Sequence, residues 1–337
     1  MSHAPETSWH VERRSLRRML DRREGRLIVA IGVANGAEAR QLHHTLHELE
    51  TQRAIPDYVG GFVFFVSGYL CAASHGLPDL GYILRSEIVR QTDLVEQATW
   101  MAALDTGSPA WPIGVDVDTG YGNEPSSVLL TCRQAHKQGA QYVQIEDQYA
   151  INKSCGHMAG ASGTGKQIVS AEEMLESRLA PAVSYARSQD DFTVMARTDA
   201  VAASGIDEAL RRARLYAAAG ARLLFVEAPQ SLDQLERVAK ELAGSGALAV
   251  ANMIEGSPLT PYRSPEELHR MGYPMALYCI GSLLAGRAAQ SRYYGILARG
   301  ESVMRSADQR PERWFEGFNR VIGREQTEAW NRLFHQR

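Results

Sequence analysis

Apolar residues fall along this chain in short continuous runs rather than in strict alternation. RLIVAIGV (26–33), FVFFVS (62–67), PIGVDV (112–117), YVQIED (142–147), FTVMAR (192–197), RLLFVE (222–227), ALAVAN (247–252) and MALYCI (275–280) are each about strand length. Runs of that kind are expected of parallel strands covered on both faces. Between them the spacing turns helical, over 36–53, 84–103, 125–138, 171–188, 207–219, 231–243, 265–271 and 281–298. Ser170 with Glu173 three residues on, and Ser264-Pro265 before EELHRM, mark helix starts.

Eight strands alternating with eight helices predict an α/β protein, a (β/α)₈ TIM-type barrel. A doubly wound open sheet shares this rhythm. The strand ends favour the barrel: Ser67, Asp116, Glu146, Arg197, Glu227 and Asn252 stand at or just past the C-terminal ends of strands. In a barrel those ends meet at one mouth, whereas an open sheet would string them along an edge. The expected organisation is a tail and short basic helix over 1–25, a catalytic barrel over 26–300, and a helical extension over 301–337. Within the extension, 312–335 reads as two amphipathic helices whose Trp and Phe residues would cover a barrel face or a neighbouring subunit.

Composition narrows the class. At 337 residues, 45% hydrophobic and 22% charged, the chain has enough apolar material for a full core. A net charge of −3 gives no reason to expect nucleic acid or an anionic membrane as partner. The start is polar, without the apolar stretch of a signal peptide, and no apolar run is long enough to span a bilayer. Cys71, Cys132, Cys155 and Cys279 match no metal-finger spacing, so free thiols in a cytoplasmic protein are expected.

The candidate chemistry gathers between 112 and 166. Asp116 and Asp118 offer hard oxygen ligands at a strand end, suited to Mg²⁺, although an acidic helix N-cap would look the same. Glu146 and Asp147 arrive from the next strand, and clustered carboxylates repel one another without a cation, which strengthens the metal reading. Cys155 sits in KSCGH, two residues from both Lys153 and His157. Cationic neighbours are expected to lower its pKa and make it a usable acid, base or nucleophile; an incidental loop cysteine is the alternative. GASGTGK (160–166) falls short of a phosphate loop because Gln167 stands where Ser or Thr is required, and it reads as a glycine-rich lid. Arg197 could fork onto a substrate carboxylate or pair with Asp199 or Glu227. Ser67-Gly68 could present a hydroxyl and backbone N–H groups to an anion, or form a plain turn. His43, His75 and His136 read as surface or packing residues.

SGYLCAASHGLPDLG, VDVDTGYG, IEDQ followed by KSCGH, ARTDA, VEAP and ANMIEG, in that order over about 60–285, resemble the isocitrate lyase / phosphoenolpyruvate mutase superfamily. The resemblance implies a (β/α)₈ barrel, usually a homotetramer that exchanges its eighth helix between subunits. It implies Mg²⁺, with Mn²⁺ able to substitute, held by Asp116, Asp118, Asp79 and Glu146 directly or through water. It places Ser67, Gly68, Tyr69, Gly156, Arg197 and Asn252 on the substrate, with Glu227 completing the pocket. Cys155 becomes the catalytic acid/base beside Lys153 and His157. The KxCGH loop marks the carbon–carbon lyase branch, and ANMIEG resembles the short dimethylmalate lyase and oxaloacetate hydrolase group. The implied reaction is Mg²⁺-dependent cleavage of a 2-hydroxy di- or tricarboxylate to a 2-oxo acid and a carboxylate. Oxaloacetate hydrolysis or decarboxylation, or phosphonopyruvate-type P–C chemistry, is the alternative on the same site. The chain departs from the family pattern at Ser154, where a second basic residue is usual, in the inserted ASGTG, over 36–60, and at Cys279, which replaces a proline.

Overall fold

The computed structural model describes residues 10–151, 153–158, 165–305 and 313–335. Eight parallel strands close on themselves in sequence order: β1 (Leu27–Gly32), β2 (Val59–Val66), β3 (Ile113–Asp116), β4 (Ala140–Glu146), β5 (Thr193–Thr198), β6 (Leu223–Val226), β7 (Leu248–Met253) and β8 (Met275–Tyr278). Pairing of Ile28 with Met275 joins the first strand to the last, so the barrel is closed and the open sheet is excluded. Each strand overlaps the apolar run expected for it.

The pleat sorts each strand's residues between two cores. Ile28, Phe65, Tyr142, Met195, Phe225 and Leu277 belong to the cluster that fills the barrel. Their neighbours Val29, Phe64, Val143, Val194, Leu224 and Ala276 belong to the cluster between sheet and helices. Both sets are buried, which is why the runs are continuous. Burial of each large side chain stabilises by roughly 1.5–3 kcal/mol. Gly114 makes the interior possible: a Cβ there would lie 1.9 Å from the Tyr142 ring, which occupies that space.

The N-terminal helix Leu16–Asp21 plugs the lower mouth. Its Leu16 and Leu20 join the barrel interior, and Leu16 N donates to Gln141 Oε1 at 3.0 Å. With the bottom sealed, the upper mouth is left for chemistry. Around the barrel run helices Gly36–Thr51, Arg85–Thr106, Pro125–Lys137, Ile206–Ala219, Leu232–Leu242 and Pro265–Arg270. The expected helix over 171–188 has a π-helical middle, Met174–Leu179. Two short helices that the spacing did not reveal, Gly68–Ser74 and Ala200–Ser204, start directly after β2 and β5.

Gly281–Ala298 follows β8 as expected, yet none of its residues is buried. Tyr293, Tyr294 and Leu297 stand exposed on it. The extension forms helices Trp314–Val321 and Arg324–His335. The first docks on helix Gly36–Thr51, where Arg40 Nε donates to Val321 O at 2.8 Å, while Phe315 and Phe318 face outward. No helix among the described residues is long and apolar enough to cross a membrane.

Candidate active site

The C-terminal ends of the strands deliver Asp116 on β3, Glu146 on β4, Arg197 on β5 and Asn252 on β7, with Ser67 and Glu227 one residue past β2 and β6. All are buried at the upper mouth. Ser67, Tyr69, Asp116, Arg197, Glu227 and Asn252 share one small cavity of about 30 Å³, roofed by Cys155 and Gly156. That is room for about one water molecule. A wider cleft of about 830 Å³ opens beside it, past Asp118 and Lys153, but the convergent acids, thiol and guanidinium line the small cavity.

Three carboxylates meet at Asp116. One oxygen each from Asp116, Asp118 and Glu146 lies within 4.8 Å of the others. Asp116 is oriented by Gly68 N at 3.3 Å, Asp118 N at 3.1 Å and Gln144 Nε2 at 3.2 Å. Both oxygens of Glu146, and Oδ1 of Asp118, are buried without an aligned hydrogen bond. Asp118 Oδ1 does lie 2.8 Å from Lys153 Nζ and Glu146 Oε2 lies 3.2 Å from Arg197 Nη1; these are charge contacts rather than directed bonds. Burial pushes Asp116 up to about 6 against the relief of Lys153, with Glu146 pushing the same way. Burial raises Asp118 to about 6 and Glu146 to about 8, opposed by Lys153 and by Arg197 respectively. Desolvated carboxylates that bring one oxygen each within 4.8 Å of the others fit a divalent cation with oxygen ligands.

Asp79 stands outside that trio. Its Oδ1 pairs with Lys153 Nζ at 2.6 Å, and its carbonyl accepts from Cys155 N at 2.9 Å. Asp147, next to Glu146 in sequence, is not part of the cluster either. The pleat turns it outward, where it accepts from Thr198 Oγ1, Asp199 N, Tyr216 Oη and Arg212 Nη1 at 2.7–3.1 Å. The sequence treated these two acids alike, and they do different work.

The expectation for Cys155 needs a correction. Burial, with Asp79 and Glu227 nearby, pushes its thiol up to about 12. The neighbouring cations do not reach it. Lys153 is engaged by Asp79 and Asp118. His157 offers Nδ1 to Ser257 Oγ at 2.6 Å, and Nε2 lies 3.2 Å from Glu227 Oε1. Burial lowers the His157 pKa, against the pull of Glu227. Cys155 is therefore a protonated thiol at neutral pH, suited to giving a proton rather than to nucleophilic attack.

Matches to known proteins agree with this geometry. The family model described as phosphoenolpyruvate phosphomutase matches residues 45–292. The chain belongs to the phosphoenolpyruvate mutase / isocitrate lyase superfamily. It is 33% identical over 280 residues to 2,3-dimethylmalate lyase of Eubacterium barkeri, covering 83% of this chain and 88% of that one. It is 31% identical over 286 residues to 2-methylisocitrate lyase of Aeropyrum pernix, covering 85% and 80%. A solved structure of oxaloacetate acetylhydrolase with the inhibitor 3,3-difluorooxalacetate superposes with TM-score 0.76 at 28% identity, covering 94% of this chain and 95% of that one.

In this superfamily member Arg197 spends its fork on Asp199, with Nε and Nη2 each 2.9 Å from a carboxylate oxygen, leaving Nη1 toward Glu146 and the cavity. Asn252 Nδ2 donates to Glu227 Oε2 at 3.4 Å and Oδ1 receives the Cys279 thiol at 3.4 Å. His43 is buried against Thr106 and Ser108, and half-buried His136 packs on Tyr185, both as packing residues. Sequence reasoning passed over Gln144, which orients Asp116, and Arg178, whose Nη1 holds the carbonyls of Glu146 and Gln148 at 2.6 and 2.7 Å. An alternating-face reading of YVQIED would have flagged Gln144, two residues before Glu146 on the same face. Nothing local announces Arg178. The stretch 160–164 of the expected lid lies outside the described residues.

Proposed function

We propose that this chain is a Mg²⁺-dependent carbon–carbon lyase that cleaves a 2-hydroxy di- or tricarboxylate, of the dimethylmalate or methylisocitrate kind, into a 2-oxo acid and a carboxylate. The observation that carries this reading is a protonated, buried Cys155 thiol lining the same small cavity as Asp116, the member of the Asp116–Asp118–Glu146 trio that reaches it. The lyase names of relatives at 33% and 31% identity support it.

Mg²⁺, or Mn²⁺ in its place, held by Asp116, Asp118 and Glu146, with Asp79 reaching it through water, would make the substrate hydroxyl more acidic and favour the developing 2-oxo acid. Ser67, Gly68 and Tyr69 receive the 2-oxo acid half. Arg197 offers Nη1 to a carboxylate while Asp199 keeps the guanidinium plane fixed. Asn252 and Glu227 close the opposite wall. A base takes the hydroxyl proton, the C2–O bond becomes the carbonyl as C2–C3 breaks, the C2–C3 electron pair collects on the departing carboxylate fragment, and the Cys155 Sγ proton quenches it. Lys153 neutralises Asp79 and Asp118, His157 bridges Glu227 to Ser257, and Gly156 lets the loop lie close over the reacting atoms. The seal keeps bulk water from protonating the carbanion elsewhere.

A second reading, hydrolysis or decarboxylation of a 2-oxo acid such as oxaloacetate, is favoured by the superposition on oxaloacetate acetylhydrolase. Proton NMR separates the two. A 2-oxo acid formed from 2,3-dimethylmalate, 2-methylisocitrate or a related hydroxy acid, and abolished by EDTA, supports the lyase. Turnover of oxaloacetate or phosphonopyruvate alone transfers the assignment to the second reading or to P–C chemistry.

The working unit is a catalytic barrel over 26–300 with its N-terminal plug and C-terminal extension, in a cytoplasmic homotetramer. The four cysteines are free, in keeping with a reducing compartment. Helix Gly281–Ala298 carries apolar residues and buries none, as expected of a helix exchanged with a second copy. Light scattering at the mass of a monomer would exclude that assembly.

A further inference from the structure

Lys166 has no place in the chemistry above, yet its side chain is only 2% exposed. Its ammonium turns back to the residues that precede the glycine-rich stretch. It donates to Cys155 O at 2.8 Å and to Ser154 O at 3.0 Å, with Ser154 Oγ at 3.3 Å, and it lies 3.4 Å from Asp199 Oδ1. An ammonium has three protons, and this set of acceptors accounts for all of them. Gln148 grips the same peptide from the other side: Nε2 donates to Ser154 O at 2.9 Å, and Oε1 receives Ser154 N at 3.1 Å.

Each contact requires the segment 153–158 to lie down across the mouth. If that segment lifts, Lys166 loses two carbonyl acceptors and is left 3.4 Å from Asp199 Oδ1. A buried ammonium without acceptors is costly, so the interaction favours one position of the loop over intermediate ones. Asp199 also fixes Arg197, the guanidinium that faces the cavity. The carboxylate that sets the orientation of Arg197 is thus the one beside the loop's anchor.

We propose that Lys166 is a positioning residue, a latch that pins the Cys155 peptide over the cavity and ties loop closure to the Arg197–Asp199 pair. It touches no reacting atom and acts through the placement of the Cys155 thiol. The placement stands whatever the substrate; only its kinetic consequence rests on the lyase reading.

The test uses the full chain with Lys166→Met and Lys166→Arg. Iodoacetamide labelling is followed at each cysteine by peptide mass spectrometry, with buried Cys71 and Cys132, which do not line the cavity, reporting general unfolding. Lys166→Met is expected to speed Cys155 labelling at least about tenfold while Cys71 and Cys132 keep their rates. Lys166→Arg, which can still donate to two carbonyls, is expected to restore most of the protection. An unchanged Cys155 rate in Lys166→Met overturns the proposal. If Lys166→Met speeds Cys71 and Cys132 as well, Lys166→Arg decides: a selectively exposed Cys155 in that folded variant also overturns it, and retained protection upholds it. In turnover assays the latch predicts a fall in kcat for Lys166→Met with rescue by Lys166→Arg. Absence of turnover in the wild type would count against the lyase reading and leave the labelling result standing.

Discussion

Gly156 lies directly against Glu227: a Cβ at position 156 would fall 2.0 Å from Glu227 Oε1 and 2.2 Å from its Cδ. The loop can cover the cavity only because this residue has no side chain. Gly156→Ala should lift the loop by an ångström or more, and a displacement of that size at a reacting group costs on the order of 10²-fold in rate. The barrel does not depend on this contact, so the thermal midpoint should change little. Steady-state kinetics beside a melting curve checks both halves, and full activity in Gly156→Ala would show that the closed loop is not the working one.

Glu146 and Asp147 are neighbours with opposite duties, and substitution should separate them. Asp147→Asn weakens a buried cage of four donors that includes Arg212, a change worth about 3–5 kcal/mol for a broken buried pair. Glu146→Gln removes a carboxylate that burial raises and that has a charge contact with Arg197 but no directed hydrogen bond, and should cost the metal-free fold far less than Asp147→Asn while weakening Mg²⁺ binding. Denaturant titration and calorimetry on the two variants give the comparison. Equal loss of metal affinity in both would contradict the division.

The trio also sets a pH signature. In the metal-free protein Asp116 and Asp118 titrate near 6 and Glu146 near 8, all above their unfolded values. The folded state then binds more protons than the unfolded one. Its favourable contribution is fully present below the unfolded carboxylate range and is lost as pH rises toward 8. A divalent cation needs these groups ionised, so its binding near pH 7 should release protons. Calorimetry in buffers of different ionisation enthalpy should show that release, shrinking by pH 8.5, and the stabilisation by Mg²⁺ should grow from pH 5.5 to 8. Buffer-independent heats at pH 7 would contradict the shifted carboxyls.

The barrel was legible because burial on both faces leaves strands as unbroken apolar runs, and because Ser67, Asp116, Glu146, Arg197 and Asn252 punctuate their ends. That these strand-end residues meet at one mouth was legible for the same reason. Its electrostatics were not. Lys153 stands two residues from Cys155, yet it is drawn to Asp79, far away in sequence, and to Asp118, and burial with Asp79 and Glu227 nearby raises the thiol instead of lowering it. Local spacing says which charges are near in the chain and not which are engaged elsewhere. Lys166 was hidden similarly, as the last letter of a glycine-rich string whose partners lie back at Ser154 and Cys155.

Proton delivery by Cys155 is the centre of the account, and Cys155→Ser tests it most directly. The hydroxyl fills the thiol's place but is a far weaker acid and leaves the three carboxylates untouched. With the substrate found by NMR, product formation and Mg²⁺ affinity are measured together. The account predicts a loss of turnover of at least about a hundredfold, the low end for a positioned acid, with Mg²⁺ affinity unchanged. Turnover like that of the wild type would contradict it.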